Sequence, residues 1–151
     1  MATGKDLQQI SRARIKTSQI LLAAKDYEAS AYMMGYGLEI ALKAAACKSL
    51  RLDGYPSNTN NKSIDSYFMS HKFDQLLVIS GLSDLFSLNG PPNSYKNWSE
   101  FVQEYPGDWP SMRYDPKVKL KFDSRKVMRL YNNLYEDAES IINTIIGKRR
   151  W

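Results

Sequence analysis

The first fifty residues constrain the fold most, because apolar side chains recur there at helical spacing with one short interruption. Between about Lys5 and Lys25 they follow steps of three and four residues. This period predicts an amphipathic helix with one buried stripe. The stripe comprises Leu7, Ile10, Ala13, Thr17, Ile20, Leu21 and Ala24.

A second helix is predicted from about Tyr27 to Leu50. Its inward face is broad and rich in small residues, which allow another helix to approach closely. That face comprises Ala29, Ala31, Met34, Leu38, Ala41, Leu42 and Ala45. The side chain of Asp26 is predicted to cap this helix by accepting a hydrogen bond from a free amide. We therefore expect two antiparallel helices joined by a very short turn.

The rest of the chain is also predicted to be helical, with long irregular connections. Turn residues dominate 51–65, and a third helix is expected to begin near His71 and end at Gly81. Residues 89–118 hold five of the six prolines and predict an irregular segment with one short helix from about Trp98 to Tyr105. One continuous last helix should follow a cap at Asp123 or Ser124. Its stripe would be Val127, Leu130, Tyr131, Leu134, Ala138, Ile141, Ile142 and Ile145. These patterns predict one all-α domain over 1–151, an antiparallel bundle of four to five helices.

Composition excludes several classes of protein. The single cysteine, Cys47, cannot form an intramolecular disulfide, and with only one histidine it cannot build a zinc site. No glycine-rich phosphate loop or dinucleotide fingerprint occurs, so no metal and no cofactor is expected. The polar first residues are unlike a secretory signal, and no apolar run is long enough to span a membrane. A cytoplasmic protein is predicted.

The charge balance favours a polyanionic partner. Formal net charge is +5, and basic residues cluster between Lys117 and Arg129. Such a surface can bind phosphates by releasing counterions. The alternative is a solvated basic surface opposite the apolar stripe of the last helix.

Several segments together resemble the HEPN family of helical bundles. Ala24 to Tyr32, running into Glu39 to Ala44, is similar to the family's Asp-Tyr turn and its Glu-x-x-Leu-Lys helix. His71 to Leu77 resembles the later His-aliphatic-x-x-Leu element, and Met112 to Tyr114 resembles an Arg-Tyr element before the last helix. The likeness covers residues 6–82 well and 109–146 loosely.

This resemblance implies a bundle that often forms homodimers. It also implies association with prokaryotic defence, toxin–antitoxin and nucleotidyltransferase-linked systems. Several family members are metal-independent ribonucleases that carry an arginine four to six residues before a histidine. The present sequence departs from that motif. The positions four to seven residues before its only histidine, His71, are Ile64, Asp65, Ser66 and Tyr67, and no histidine follows Arg113.

Candidate site residues remain open to two interpretations each. His71 can act as a general base if Arg113 meets it and holds a phosphate, or it can stabilise the start of the third helix. Glu39 and Lys43 can form an ion pair across one helical turn, and Glu39 can instead anchor Arg113 or Tyr114.

The late loop has the same ambiguity. Arg113 can bind a phosphate or an internal carboxylate, with Tyr114 beside it. The aromatic residues of this connection either stack nucleotide bases or pack onto the bundle: Tyr95, Trp98, Tyr105 and Trp109.

The leading hypothesis is a non-catalytic HEPN-like domain that binds RNA, a nucleotide or a partner protein such as a nucleotidyltransferase. Its expected ligand-binding residues are Arg113, Tyr114, His71, Lys43, Glu39, Lys117 and Lys119. The alternatives are a metal-independent ribonuclease or toxin that uses His71 and Arg113, and a dimeric assembly module with no ligand.

Overall fold

The computed structural model describes all of residues 1–151 and contains helices but no strand. Eight α-helices follow one another along the chain: α1 Gly4–Ala23, α2 Tyr27–Ser49, α3 Lys62–Phe68, α4 Phe73–Ser80, α5 Pro92–Val102, α6 Val118–Lys121, α7 Ser124–Tyr131 and α8 Ile141–Arg149. Two 3₁₀ turns, Ser83–Phe86 and Trp109–Tyr114, and a π-helical turn, Asn132–Glu136, lie between them. The all-α prediction is confirmed, although the number of helices is larger than expected.

Helices α1 and α2 form the predicted antiparallel hairpin. Ser11 Oγ donates a hydrogen bond to the Gly37 carbonyl at 2.8 Å, and Ser30 Oγ donates to the Ser18 carbonyl at 2.7 Å. These pairings run in opposite directions along the two helices. Gly37 permits the close approach, since a Cβ there would lie 2.7 Å from a side-chain carbon of Ile15.

The predicted buried face of α1 is wrong apart from Leu7. The residues that are buried are Leu7, Ser11, Ile15 and Ser18, whereas Ile10 and Ile20 are 37% and 59% exposed. Ser11 and Ser18 can face α2 because both hydroxyls have acceptors. Ser11 donates to the Gly37 carbonyl of α2, and Ser18 donates to the Ile15 carbonyl of its own helix. The prediction used only the spacing of hydrophobic residues and ignored the serines. It therefore assigned the buried face to the wrong side of the helix.

The predicted capping bond of Asp26 is also wrong. Asp26 occupies the N-cap position of α2, but its side chain makes no capping hydrogen bond. Backbone bonds close the turn instead, including one from Asp26 N to the Leu21 carbonyl at 2.9 Å. Lys25 adopts the left-handed conformation at φ 62°, which reverses the chain within three residues.

The third predicted helix is confirmed as α4, while the segments on either side differ from expectation. Phe73, Leu76, Leu77 and Ser80 are buried, and Gly81 ends the helix at φ 72°. The expected loop 51–65 gives way to α3 at Lys62, where Asn61 caps the helix through its side chain. Helix α5 starts at Pro92 rather than Trp98, because proline suits the first turn of a helix, where no amide partner is needed.

The predicted continuous last helix is wrong, because the chain breaks it after Glu136. Asp123 caps α7 as expected, accepting from Lys126 N at 2.8 Å. The π-helical turn then ends, Ala138 is exposed, and Ser140 starts α8 by accepting from Asn143 N at 3.1 Å. The other stripe residues are buried on both sides of the break. The local cause is Ser140, a second helix-capping residue that lies within the run of regularly spaced apolar residues.

A core of 25 buried residues joins α2 and α4 to the later helices. Trp109 is its largest fully buried side chain and packs directly on α2 at Gly35. None of the helices is both long enough and apolar enough to cross a lipid bilayer.

Alkaline pH is expected to unfold the protein through its buried phenols. Burial raises the pKa of Tyr105 well above its usual value near 10 and raises that of Tyr131 to about 12. The folded state therefore holds these protons more tightly than the unfolded state does. This contribution to stability is fully present below pH 10 and decreases as pH rises from 10 to 12 and beyond.

Phenolate absorbance and helical circular dichroism, followed together against pH, test this expectation. We expect both signals to change in one cooperative transition above pH 10. Titration of every tyrosine while the helical signal stays intact would contradict it.

Candidate functional site

Four side chains of α2 define one partly open face of the helix, which we call the α2 face. Tyr32, Tyr36, Glu39 and Lys43 follow steps of four, three and four residues, so they lie along one side. Helix α4 and the 3₁₀ turn Trp109–Tyr114 pack against α2. Because of this packing, His71 and Arg113 reach the α2 face from distant parts of the sequence.

Glu39 is the buried centre of a charged cluster at one end of the α2 face. It is 3% exposed and accepts hydrogen bonds from His71 Nδ1 at 2.7 Å and from Lys43 Nζ at 3.3 Å. A carboxylate accepts but does not donate, so this contact puts the ring proton on Nδ1. Nε2 of His71 has no partner in the protein, and the side chain is 48% exposed. The ring is therefore oriented by a buried carboxylate and offers one nitrogen to solvent.

This cluster resolves the alternatives for Glu39. The predicted Glu39–Lys43 ion pair is confirmed. The predicted anchoring of Arg113 or Tyr114 by Glu39 is wrong, because His71 and Lys43 occupy the carboxylate. The physical reason is position, since Arg113 contacts the ring of Tyr32, two turns of α2 before Glu39.

Arg113 lies at the other end of the α2 face, and aromatic rings orient it. Its guanidinium carbon is 4.8 Å from the ring centre of Tyr114 and 5.9 Å from that of Tyr32. The residue is exposed and forms no ion pair, so the internal carboxylate partner considered from the sequence is absent. The phenol of Tyr32 stays protonated, because burial and the hydroxyl of Tyr36 raise its pKa to about 12. The guanidinium is free to bind an anion.

A cavity of about 250 Å³ opens beside Arg113. Five of its seven lining residues are hydrophobic, among them Met33, Met112 and Val118. Tyr114 is 74% exposed next to this opening. Apolar walls with one cation at the edge are suited to a flat, partly apolar ligand that carries a negative charge.

Two lysines flank Val118, which lines the same opening. Both are exposed: Lys117 is the N-cap residue of α6 and Lys119 lies within that helix. Lys119 Nζ lies 3.7 Å from Glu28 Oε1 at the cavity wall. This exposed pair is weak. The predicted basic stretch therefore begins beside Arg113, although Lys126 and Arg129 in its later part pair with Glu104.

The structure brings His71 and Arg113 to the same helix face but not into contact. His71 bonds to Glu39, and Arg113 contacts Tyr32, seven residues earlier. At 1.5 Å per residue those two positions are roughly 10 Å apart along the axis. No group of three or more potential metal ligands forms anywhere in the chain.

Trp109 begins the 3₁₀ turn that carries Arg113 and packs that turn on α2, whereas the sequence predicted for it only base stacking or packing onto the bundle. Its ring packs against those of Tyr32 and Tyr36 and stacks on Phe73 with centres 5.9 Å apart. A Cβ at Gly35 would lie 2.8 Å from the indole, so only glycine leaves room. Burial of Trp98, Tyr105 and Trp109 confirms that these aromatics pack onto the bundle. The feature of the sequence that could have indicated this contact is Gly35, because a glycine inside a helix costs about 1 kcal/mol relative to alanine.

No protein-family model, no curated protein and no solved structure matches this chain. Function is therefore inferred from the side chains of the α2 face and of the segments that pack against it.

Proposed function

We propose that this chain is a HEPN-like domain, built on an antiparallel bundle of four to five principal helices, that binds RNA or a nucleotide. One observation carries the proposal: the guanidinium of Arg113 is exposed, oriented by two aromatic rings and free of any carboxylate. An arginine held in this way retains its charge and its paired donors for a phosphate.

The surroundings of Arg113 support a nucleotide rather than a bare anion. The adjacent cavity has mostly apolar walls, which suit a nucleobase, and exposed Tyr114 offers a ring for stacking. Lys117 and Lys119 supply further charge for the backbone of a longer ligand. His71 and Lys43 lie farther along the α2 face and can contact the next phosphate.

Contacts between the resembling segments support the family proposal. Glu39 belongs to the Glu-x-x-Leu-Lys element and bonds to His71, the first residue of the His-aliphatic-x-x-Leu element. Arg113, of the Arg-Tyr element, contacts the same helix. With this family we also propose a cytoplasmic role in a prokaryotic defence or toxin–antitoxin system, with a nucleotidyltransferase or another protein as partner.

Arg113→Ala is expected to weaken binding of a fluorescently labelled single-stranded RNA by about tenfold or more. A charge-assisted hydrogen bond contributes about 1.5–3 kcal/mol, and 1.4 kcal/mol corresponds to tenfold in affinity. Fluorescence anisotropy at several salt concentrations measures the effect. The affinity of the unmodified protein should fall steeply with salt, because phosphate contacts release counterions.

Arg14→Ala is the matched control, since Arg14 is exposed on α1 and the variant has the same net charge. We expect it to bind nearly as well as the unmodified protein. Equal affinities for the two variants, or binding that does not change with salt, would count against the proposal. Circular dichroism of both variants excludes unfolding as the cause.

A metal-independent ribonuclease is the second candidate, and the Glu39–His71 bond favours it. A histidine whose Nδ1 donates to a buried carboxylate keeps Nε2 available as a general base. Arg113, on the same α2 face, would stabilise the charge on the phosphate. RNA cleavage in the presence of a chelator separates this function from binding alone.

A homodimer, as ligand-binding unit or as assembly module, is the third proposal. It is supported by the apolar side chains Ile10 and Ile20 of α1, which are 37% and 59% exposed. A twofold contact would bury this stripe against its own copy.

A further inference from the structure

Glu28 is the only acidic side chain that lines the cavity beside Arg113. It lies in the first turn of α2, one helical turn before Tyr32, whose ring contacts the guanidinium. Residues 28 and 32 are about 6 Å apart along the helix axis, so a carboxylate and a guanidinium face the same small space. No ion pair joins the two groups, because Glu28 pairs with Lys119 instead. Both are therefore open to one ligand.

The carboxylate of Glu28 can accept hydrogen bonds from that ligand. Its side chain is 26% exposed, and Oε1 lies 3.7 Å from Lys119 Nζ. The lysine side chain is 78% exposed, so this pair is weak and a ligand can replace it. A carboxylate accepts through two oxygens that lie side by side, and it donates no hydrogen bond. The cavity wall therefore presents two adjacent acceptors.

The rest of the cavity wall makes this acceptor pair selective. Met33, Met112 and Val118 offer apolar contact to a flat ring but no hydrogen bond from their side chains. A ring that enters the cavity takes water away from the carboxylate. A ligand edge without donors would then leave the carboxylate oxygens unpaired, which is costly. The donors on the edge of the ring therefore decide which base binds.

The four bases of RNA present different donors to a carboxylate. The Watson–Crick edge of guanine carries two neighbouring donors, N1–H and the 2-amino group, which match the two oxygens. Adenine and cytosine each place one amino group next to a ring nitrogen that accepts. Uracil has a single N3–H between two carbonyl oxygens, which repel the carboxylate. Guanine is thus the base whose edge satisfies both oxygens of Glu28.

We propose that Glu28 makes this cavity selective for guanine, with Arg113 bound to the adjoining phosphate. The inference rests on the function proposed for Arg113, and it names the nucleotide that the site takes. The base donates both hydrogen bonds to Glu28 and displaces Lys119, whose ammonium group then becomes available to a phosphate. The preferred ligand is a single-stranded RNA with an unpaired guanine.

Fluorescently labelled RNA heptamers of uridine that differ only in the central base test the proposal. Their affinities for the full chain are measured by fluorescence anisotropy with guanosine, adenosine, cytidine, uridine or inosine at the centre. Guanosine should bind about tenfold more tightly than adenosine, cytidine or uridine, as one good bidentate pair allows. Inosine differs from guanosine only by the missing 2-amino group and should lose most of the preference. Equal affinities for guanosine and adenosine, or for guanosine and inosine, would overturn the proposal.

Glu28→Gln should abolish the preference for guanosine over adenosine. Glutamine presents one acceptor and one donor, which match adenine rather than guanine. Glu139→Gln is the matched control, because it makes the same change of charge on an exposed side chain outside the cavity, and it should keep the preference. The ratio of the two affinities is compared, since the lost charge alone raises the affinity for every RNA. A tenfold preference that persists in Glu28→Gln would contradict the proposal.

The same measurements separate this inference from the function on which it rests. Heptamers that all bind equally well, and that all bind weakly to Arg113→Ala, would leave RNA binding in place and remove the selectivity for guanine. Failure of every heptamer to bind the unmodified protein would remove both.

Discussion

Trp109→Ala is expected to lower the free energy of unfolding by about 3–5 kcal/mol, a large part of the stability of a domain of this size. The indole is fully buried and fills the space between Gly35, Tyr32 and Phe73. Alanine would leave a cavity that rigid helices cannot close. Urea unfolding followed by circular dichroism measures the loss.

Trp109→Phe is the matched control for this prediction. Nε1 of Trp109 has no hydrogen-bond partner, so the ring is held by packing alone. Phenylalanine retains part of the ring and gives up no hydrogen bond, and its cost should be clearly smaller. A loss below about 1 kcal/mol in Trp109→Ala would show that the late segment does not depend on this contact.

The same substitution connects packing with the site. Trp109 begins the 3₁₀ turn that ends at Tyr114, and Arg113 is carried by that turn. Loss of the indole removes the surface that holds the turn against α2. We therefore expect Trp109→Ala to weaken RNA binding even under conditions where the variant is folded.

Local patterns in the sequence were sufficient to predict the α1–α2 hairpin and the cap at Asp123. They failed where a polar residue is buried at a position that an apolar residue usually occupies. Ser11 and Ser18 face inward because their hydroxyls donate hydrogen bonds to backbone carbonyls. The spacing of apolar residues gives no indication of such bonds. Ser140 similarly restarts a helix inside an apolar stripe that continues across the break.

The candidate site was predictable only where its residues are close in sequence. Glu39 and Lys43 are one turn apart, and their ion pair follows from helix geometry. The bond from His71 to Glu39 spans 32 positions and depends on how α4 docks on α2. Glu28 and Arg113 line one cavity although more than half of the chain separates them, and no pattern linked the two. Tertiary packing alone brings such pairs together.

Substitution of Glu39 and His71, singly and together, is expected to separate a catalytic role from a structural one. His71→Ala removes the 2.7 Å bond between Nδ1 and the buried carboxylate, and Glu39→Gln weakens it by replacing the charged acceptor with a neutral amide oxygen. Each should cost about 1.5–3 kcal/mol of stability, and the double variant should cost less than the sum, because both changes act on the same interaction. Urea unfolding of the three variants measures this coupling.

Cleavage of RNA in the presence of a chelator is the second measurement on these variants. If His71 is a general base, both single variants should lose about 10²–10⁴-fold in cleavage rate, since glutamine no longer orients the ring as the carboxylate does. Lys43→Met is the control, because it removes the other partner of Glu39 and leaves the histidine bond in place. Coupled stability losses with no cleavage by the unmodified protein would assign the pair to holding α4 on α2, and RNA would then be bound at Arg113 without being cut.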